Sequence, residues 1–99
     1  MRVEIQAFPI PFKTDIELEM PTVISILGME ARGKAGTPKQ LHVIALVDPD
    51  SARTTQKFRL MMEGIPSNDG LDFNVRAIGH ATIDKPKPAS YWLFLRPPS

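Results

Sequence analysis

The segment Gly28-Met29-Glu30-Ala31-Arg32-Gly33-Lys34 has the spacing G-x-x-x-x-G-K of a phosphate-binding loop, in which backbone amides and the lysine cradle phosphate. Two features oppose that chemistry. Ala35 stands where a Ser or Thr hydroxyl would hold magnesium, and Gly36 and Pro38 forbid the helix whose N-terminus should point at the phosphate. A hairpin tip rich in Gly and Lys is the better reading. Asp48 and Asp50 flank Pro49 and could offer oxygens to a hard cation, with Asn68, Asp69 and Asp72 as further recruits. Aspartates also start turns by accepting nearby backbone N–H groups, which explains both positions without a metal. His42 and His80 could in principle act as bases, but no serine lies in a nucleophile motif. His42 reads as a hydrogen-bonded, half-buried strand residue and His80 as lying near a strand end. With no Cys, thiolate catalysis, zinc-cysteine sites and disulfides are excluded. The expectation is a protein without catalytic residues, metal or cofactor.

Binding chemistry has better candidates. Arg32, Lys34 and Lys39 cluster around the glycines of the same segment, and Lys57 and Arg59 recur two apart on one strand phase. With backbone amides at Gly33 and Gly36 they could hold a small anion, a nucleotide or nucleic acid. Trp92 stands between Tyr91 and Phe94. Alternation sends Trp92 and Phe94 to one side of their strand and Tyr91 and Leu93 to the other. Either both sides are covered, the reading we favour, or one aromatic pair is an exposed anchor for a protein partner.

The elements that must position these groups are strands. Across 99 residues no stretch keeps an apolar stripe at helical spacing, whereas period-two alternation recurs. Val3, Ile5 and Ala7 alternate with polar residues until Pro9 and Pro11 end the strand. Ile16, Leu18 and Met20 give a second strand with one dry and one acidic face. Val23 to Ala31 is a third, bent at Gly28. Leu41 to Val47 is apolar except for His42 and reads as a central strand buried on both faces. In that arrangement Ala45 and Val47 face one layer of core and Ile44 and Leu46 the other, so truncating Leu46 to Ala should cost roughly 2 to 5 kcal/mol. Pairing should stop at Pro49, with Asp48 capping the turn. Thr55 to Glu63 alternates Phe58, Leu60 and Met62 inward against Lys57, Arg59 and Glu63 outward. Leu71, Phe73, Val75 and Ala77 begin a sixth strand that could run on to Ile83, and Tyr91 to Leu95 makes a seventh. Seven short strands must cover their apolar faces by pairing sheets or closing on themselves, so we expect one all-β domain, a small antiparallel sandwich or barrel.

Charge is nearly balanced at +1 but unevenly placed: Met1 to Ala31 carries −3 and Arg32 to Ser99 carries +4. Interleaved strands need not turn this into a surface patch. The N-terminus breaks its apolar pattern with Glu4 and Gln6, and no run is long and apolar enough to span a bilayer, which points to a cytoplasmic protein without a membrane partner.

Read in order, Ile16-Glu17-Leu18-Glu19-Met20-Pro21, Ile26-Leu27 and Ala45-Leu46-Val47-Asp48-Pro49 resemble a group of small uncharacterised proteins encoded by bacteriophages and prophages. The likeness continues through Lys57-Phe58-Arg59-Leu60, Gly64-Ile65-Pro66 and Ala77-Ile78-Gly79 to the aromatic last strand. Where the group's loop has Gly-x-Gly-His-Pro, this chain reads Glu63-Gly64-Ile65-Pro66 and lacks the histidine. The resemblance implies a phage accessory protein in the host cytoplasm, with no assigned activity. The functional expectation is a non-enzymatic binder of a host protein such as a defence component, and a surplus of apolar residues on both strand phases suggests homo-oligomers. The alternatives are an anion or nucleic-acid binder using Arg32, Lys34, Lys39, Lys57 and Arg59, and a minor virion component.

Overall fold

The alternation of Ile16, Leu18 and Met20 with Asp15, Glu17 and Glu19 fixes β2 (Asp15–Met20) as a one-sided strand, and the computed structural model of the chain buries Ile16 and Met20 completely. The structure describes residues 2–35, 39–66, 77–84 and 88–96. Within them the remaining strands are β1 (Glu4–Ile10), β3 (Thr22–Arg32), β4 (Gln40–Asp48), β5 (Thr54–Met62), β6 (Ala77–Ile83) and β7 (Ala89–Leu95). Among the described residues there is no helix, and so none long and apolar enough to cross a membrane. All pairings are antiparallel. They form a three-stranded sheet in the order β1-β4-β3 and a four-stranded sheet in the order β2-β5-β7-β6. The two sheets pack face to face as a sandwich and do not close into a barrel.

The core lies between the sheets. Phe8 and Ile10 from β1, Met29 from β3 and Leu41, Val43, Ala45 and Val47 from β4 meet Ile16, Met20, Phe58, Leu60 and Leu93, with Ala81 and Ile83 beside them. On one flank β6 lies directly against β3: a Cβ built on Gly79 would stand 2.7 Å from Met29 Cβ and 3.0 Å from its backbone nitrogen. Only a residue without a side chain permits that approach. Phe12, in the β1–β2 connection, meets the Tyr91 ring edge-on at 5.5 Å.

Three expectations need correction. The first strand ends before Pro11, as expected, and passes Pro9 opposite His42, which the ladder tolerates because β1 is an edge strand and need not donate every N–H. What differs is its buried phase, which is Phe8 and Ile10, with Ile5 63% exposed. The fourth strand is central in its sheet, as expected, but only one of its faces is covered. Val43, Ala45 and Val47 are inside, whereas Ile44 and Leu46 are half-buried on the outer face. Leu46→Ala should therefore cost about 1–2 kcal/mol, less than for a fully buried leucine, since part of its side chain stays in water and its loss leaves no closed cavity. Urea unfolding measures this directly, and a loss above about 2 kcal/mol would restore the doubly covered strand. The sixth strand begins at Ala77 among the described residues, where Ala77 is exposed and not an inner residue; Leu71, Phe73 and Val75 lie outside them.

The bend foreseen near Gly28 consists of two register shifts in β3, one between Val23 and Ser25 and one between Ile26 and Gly28. They leave Ile24 and Leu27 as the extra residues, both exposed. At the other end of the hairpin β4 stops at Asp48. Its carboxylate oxygen accepts the Asp50 N–H at 3.1 Å, and the Ser51 hydroxyl donates to the Asp48 carbonyl at 2.8 Å while accepting the Thr22 N–H at 2.7 Å. Asp48 caps this turn, and Asp50 pairs with Arg2 at 3.2 Å.

Candidate functional site

A five-residue connection joins β6 to β7, and pairing counted outward from Ile83↔Ala89 sets Ala81 opposite Tyr91 and His80 opposite Trp92. On the other side of β7, Trp92 pairs with Met61 of β5. These three residues form one row across the outer face of the four-stranded sheet. The His80 and Trp92 rings stack at 4.2 Å with 30° between their planes, and Trp92 stays 37% exposed. Stacking of this kind contributes about 0.5–1.5 kcal/mol beyond simple burial and restricts the indole to one orientation.

The next row is built on charge. Asp15 pairs with Arg59, which pairs with Phe94. Asp15 Oδ1 accepts from Arg59 Nη2 at 3.0 Å and lies 3.2 Å from Arg96 Nη1. One carboxylate thus holds two guanidiniums. Arg96 is placed there by its own backbone, whose N–H donates to the Lys57 carbonyl at 2.9 Å and extends the β5–β7 ladder past Leu95. Arg59 is only 7% exposed although its side chain points away from the core. Its long stem lies along the sheet while its head meets Asp15, the usual way an arginine covers apolar surface. Further along β5, Lys57 lies opposite Glu17 and Thr55 opposite Glu19, and the Thr55 hydroxyl donates to the Glu19 carboxylate.

The six residues singled out as binding candidates separate into two groups. Lys57, Arg59 and Trp92 share this outer face. Arg32, Lys34 and Lys39 belong to the β3–β4 hairpin of the other sheet. There Arg32 is held by Glu30 through two contacts of 3.0 and 2.6 Å, and Lys34 and Lys39 are exposed. Residues 36–38, including Gly36 of the expected anion cradle, lie outside the described residues. The phosphate-loop spacing has no structural counterpart, because Gly28 to Arg32 are strand residues. The favoured reading of Trp92 as doubly covered core is also corrected: Leu93 fills the core and Trp92 looks outward.

Met61, Asp15, Glu17, Glu19 and Arg96 of this face were not among the candidates, and His80 was read chiefly as a residue near a strand end. His80 could have been found by counting the β6–β7 pairing outward from its proline-rich connection. Met61 broke the alternation of β5, which was the signal that its phase faces something other than water.

No family model matches this chain, no curated protein matches its sequence and no solved structure matches its fold. The chemistry of the face must then speak for itself. Lys57, Arg59 and Arg96 are set among Asp15, Glu17 and Glu19, so cations and carboxylates are matched among these described residues of the face. A phosphate backbone would find no surplus of cations among these described residues, and polyanion affinity depends on that surplus. Among the described residues no three acidic or histidine side chains converge to hold a metal ion. His42 sits on the other sheet with Nδ1 donating to the Gln40 carbonyl at 3.1 Å.

Proposed function

We propose that this protein is a binding module which acts by docking another protein on the outer face of its four-stranded sheet, with Trp92 as the anchor. The observation that carries the reading is the Trp92 indole, stacked on His80 and left exposed beside the Asp15 cluster. Protein interfaces concentrate their energy in Trp, Tyr and Arg side chains held in one geometry and ringed by polar groups. A rotamer fixed in advance loses less entropy on binding than a free one. The resemblance to phage proteins adds the setting: an accessory protein in the cytoplasm of an infected bacterium whose partner is a host protein. In this reading the protein has no catalytic step and blocks or modulates its partner by occupying a surface.

The runner-up, a nucleic-acid binder, draws on the same aromatics, since bases stack on Trp and His. Balanced charge on the face counts against it.

Immobilised parent and Trp92→Ala proteins, each challenged with lysate of the bacterial host, separate these readings. The parent should retain one host protein in stoichiometric amount, and Trp92→Ala should bind it at least about 30-fold more weakly, the loss of about 2 kcal/mol typical of an anchor residue. Both proteins should melt within a few degrees of each other, because the indole is not part of the core. Equal retention by both would refute the anchor. Retained nucleic acid, lost as salt is raised, would favour the runner-up.

A further inference from the structure

The two stacked rings of the outer face both stand on backbone that its neighbours hold in place. Trp92 belongs to β7, an interior strand paired on both sides. His80 follows Gly79, whose backbone lies so close to β3 that a Cβ there would stand 2.7 Å from Met29 Cβ. In the next row the Thr82 and Ser90 hydroxyls meet at 3.1 Å and pin the β6–β7 register. The imidazole is thus kept over the indole at 4.2 Å with 30° between the planes, and His80 itself is exposed to water.

A positive charge over the face of a Trp ring, within about 6 Å of its centroid, is attracted by the ring quadrupole. Histidine is the side chain whose charge ordinarily changes between about pH 5 and pH 8, so a stack of this kind has two strengths. The other groups around His80 decide which of them feels its proton. Among the described residues no ion pair includes His80. On β7 its outer-face neighbours are Trp92 and Ser90, whereas Tyr91 packs toward the core. On β5, beyond β7, Met61 shares the row, with Arg59 and Glu63 one row to either side. Arg59 and Arg96 both meet Asp15. On β3, Glu30 and Arg32 hold each other on the outer face of the other sheet. On β6 itself Thr82 is neutral, and Asp84 is exposed past the end of the strand. The indole is therefore the group against which a charged His80 rests.

We propose that the His80–Trp92 stack is a proton-sensitive clamp on the anchor: a protonated imidazole holds the indole down on the sheet, and loss of the proton frees it to dock. The inference rests on the Trp92 docking reading and adds its regulation. Two physical terms act in the same direction. Cation–π attraction makes the charged stack tighter, by about two- to fivefold in its equilibrium constant at an exposed site. A partner seated on Trp92 also covers the ring stacked against it, and covering a charged ring costs more than covering a neutral one. Because the attraction favours the charged ring, the contribution of the stack is largest in acid and is lost as pH rises and the proton leaves. Docking is accordingly opposed in acid and favoured once His80 is neutral.

The free protein tests this without a partner. Trp92 is the only tryptophan, and an imidazolium in contact with an excited indole accepts charge from it and dims its emission. Emission of the parent should fall in one single-proton step between about pH 8 and pH 5, and His80→Gln should show no such step. A double-mutant cycle with His80→Gln and Trp92→Leu, read by urea unfolding, should give a coupling about two- to fivefold stronger at about pH 5.5 than at about pH 8. Both rings lie outside the core, so these variants should fold. If Trp92→Leu does not, the emission of the parent and of His80→Gln decides alone. A level emission, a step that survives in His80→Gln, or a coupling equal at the two pH values overturns the clamp. The docking reading fails separately, when the parent and Trp92→Ala retain host protein equally at a single pH, so the two failures are distinguishable.

Discussion

Replacing Phe58 with Ala should destabilise the protein by about 3–5 kcal/mol, the range for removing a fully buried phenyl ring. Phe58 is inaccessible to solvent and sits on β5, an interior strand of the four-stranded sheet, between Ile16 of β2 and Leu95 of β7. Its neighbours are held by two ladders and cannot collapse into the space left behind, so the cavity term adds to the lost transfer energy. Domains of this size typically have about 5–15 kcal/mol in total. Each kcal/mol should lower the melting temperature by about 4–8 °C, so the variant should be largely unfolded at temperatures where Leu46→Ala is intact. Calorimetry on the two variants makes the comparison. If Leu46→Ala proved the more damaging, the assignment of inner and outer faces would be inverted.

The second large effect is expected from one methyl group. Gly79→Ala places a Cβ 2.7 Å from Met29 Cβ and 3.3 Å from the Gly28 carbonyl carbon. Neither atom can rotate away, because both belong to the backbone frame of β3. To admit the methyl, β6 must lift from β3 along the flank where the two sheets meet. Such overpacking costs about 1–3 kcal/mol. Hydrogen exchange should show where it falls: amides of β6 and β3 lose protection while those of β2 and β5 keep theirs. Shortening the neighbour with Met29→Ala should not rescue the variant, since the Met29 Cβ remains. A Gly79→Ala protein as stable as the parent, with unchanged exchange in β6, would mean the flank is open.

How much of this architecture can be read from the residues depends on whether a strand's two phases differ. β2 and β5 are legible because Ile16, Leu18 and Met20 oppose three carboxylates and Phe58 and Leu60 oppose Lys57 and Arg59. β1 and β4 are not, because both phases are apolar. Val3 and Ile5 look as fit for a core as Phe8 and Ile10, and Ile44 and Leu46 as fit as Val43 and Ala45. Period two identifies such a strand without saying which side is wet. The same ambiguity hid Trp92 between Leu93 and Tyr91. In the candidate site, Lys57 and Arg59 were legible as neighbours on one phase, but the cancellation of their charge was not. It arises from the register of β2 on β5, which brings Asp15 to Arg59 and Glu17 to Lys57 across forty or more residues of chain. Asp48 was legible as a turn cap because an aspartate at a strand end accepts nearby backbone N–H groups, and the glycine-lysine segment as a hairpin because Gly36 and Pro38 forbid the helix that a phosphate loop needs. Asn68, Asp69 and Asp72, the further oxygens a cation would require, lie outside the described residues.

Trp92 is the only tryptophan in the chain, so its fluorescence reports on the proposed anchor and on nothing else in this protein. The most direct test titrates the retained host protein, with its own tryptophans silenced by fluorotryptophan substitution or subtracted, into the parent. The account predicts that acrylamide quenches Trp92 readily in the free protein, and that emission shifts to shorter wavelength and quenching falls in a saturable way as the complex forms. Binding of the partner that left both the emission and the quenching of Trp92 unchanged would contradict it.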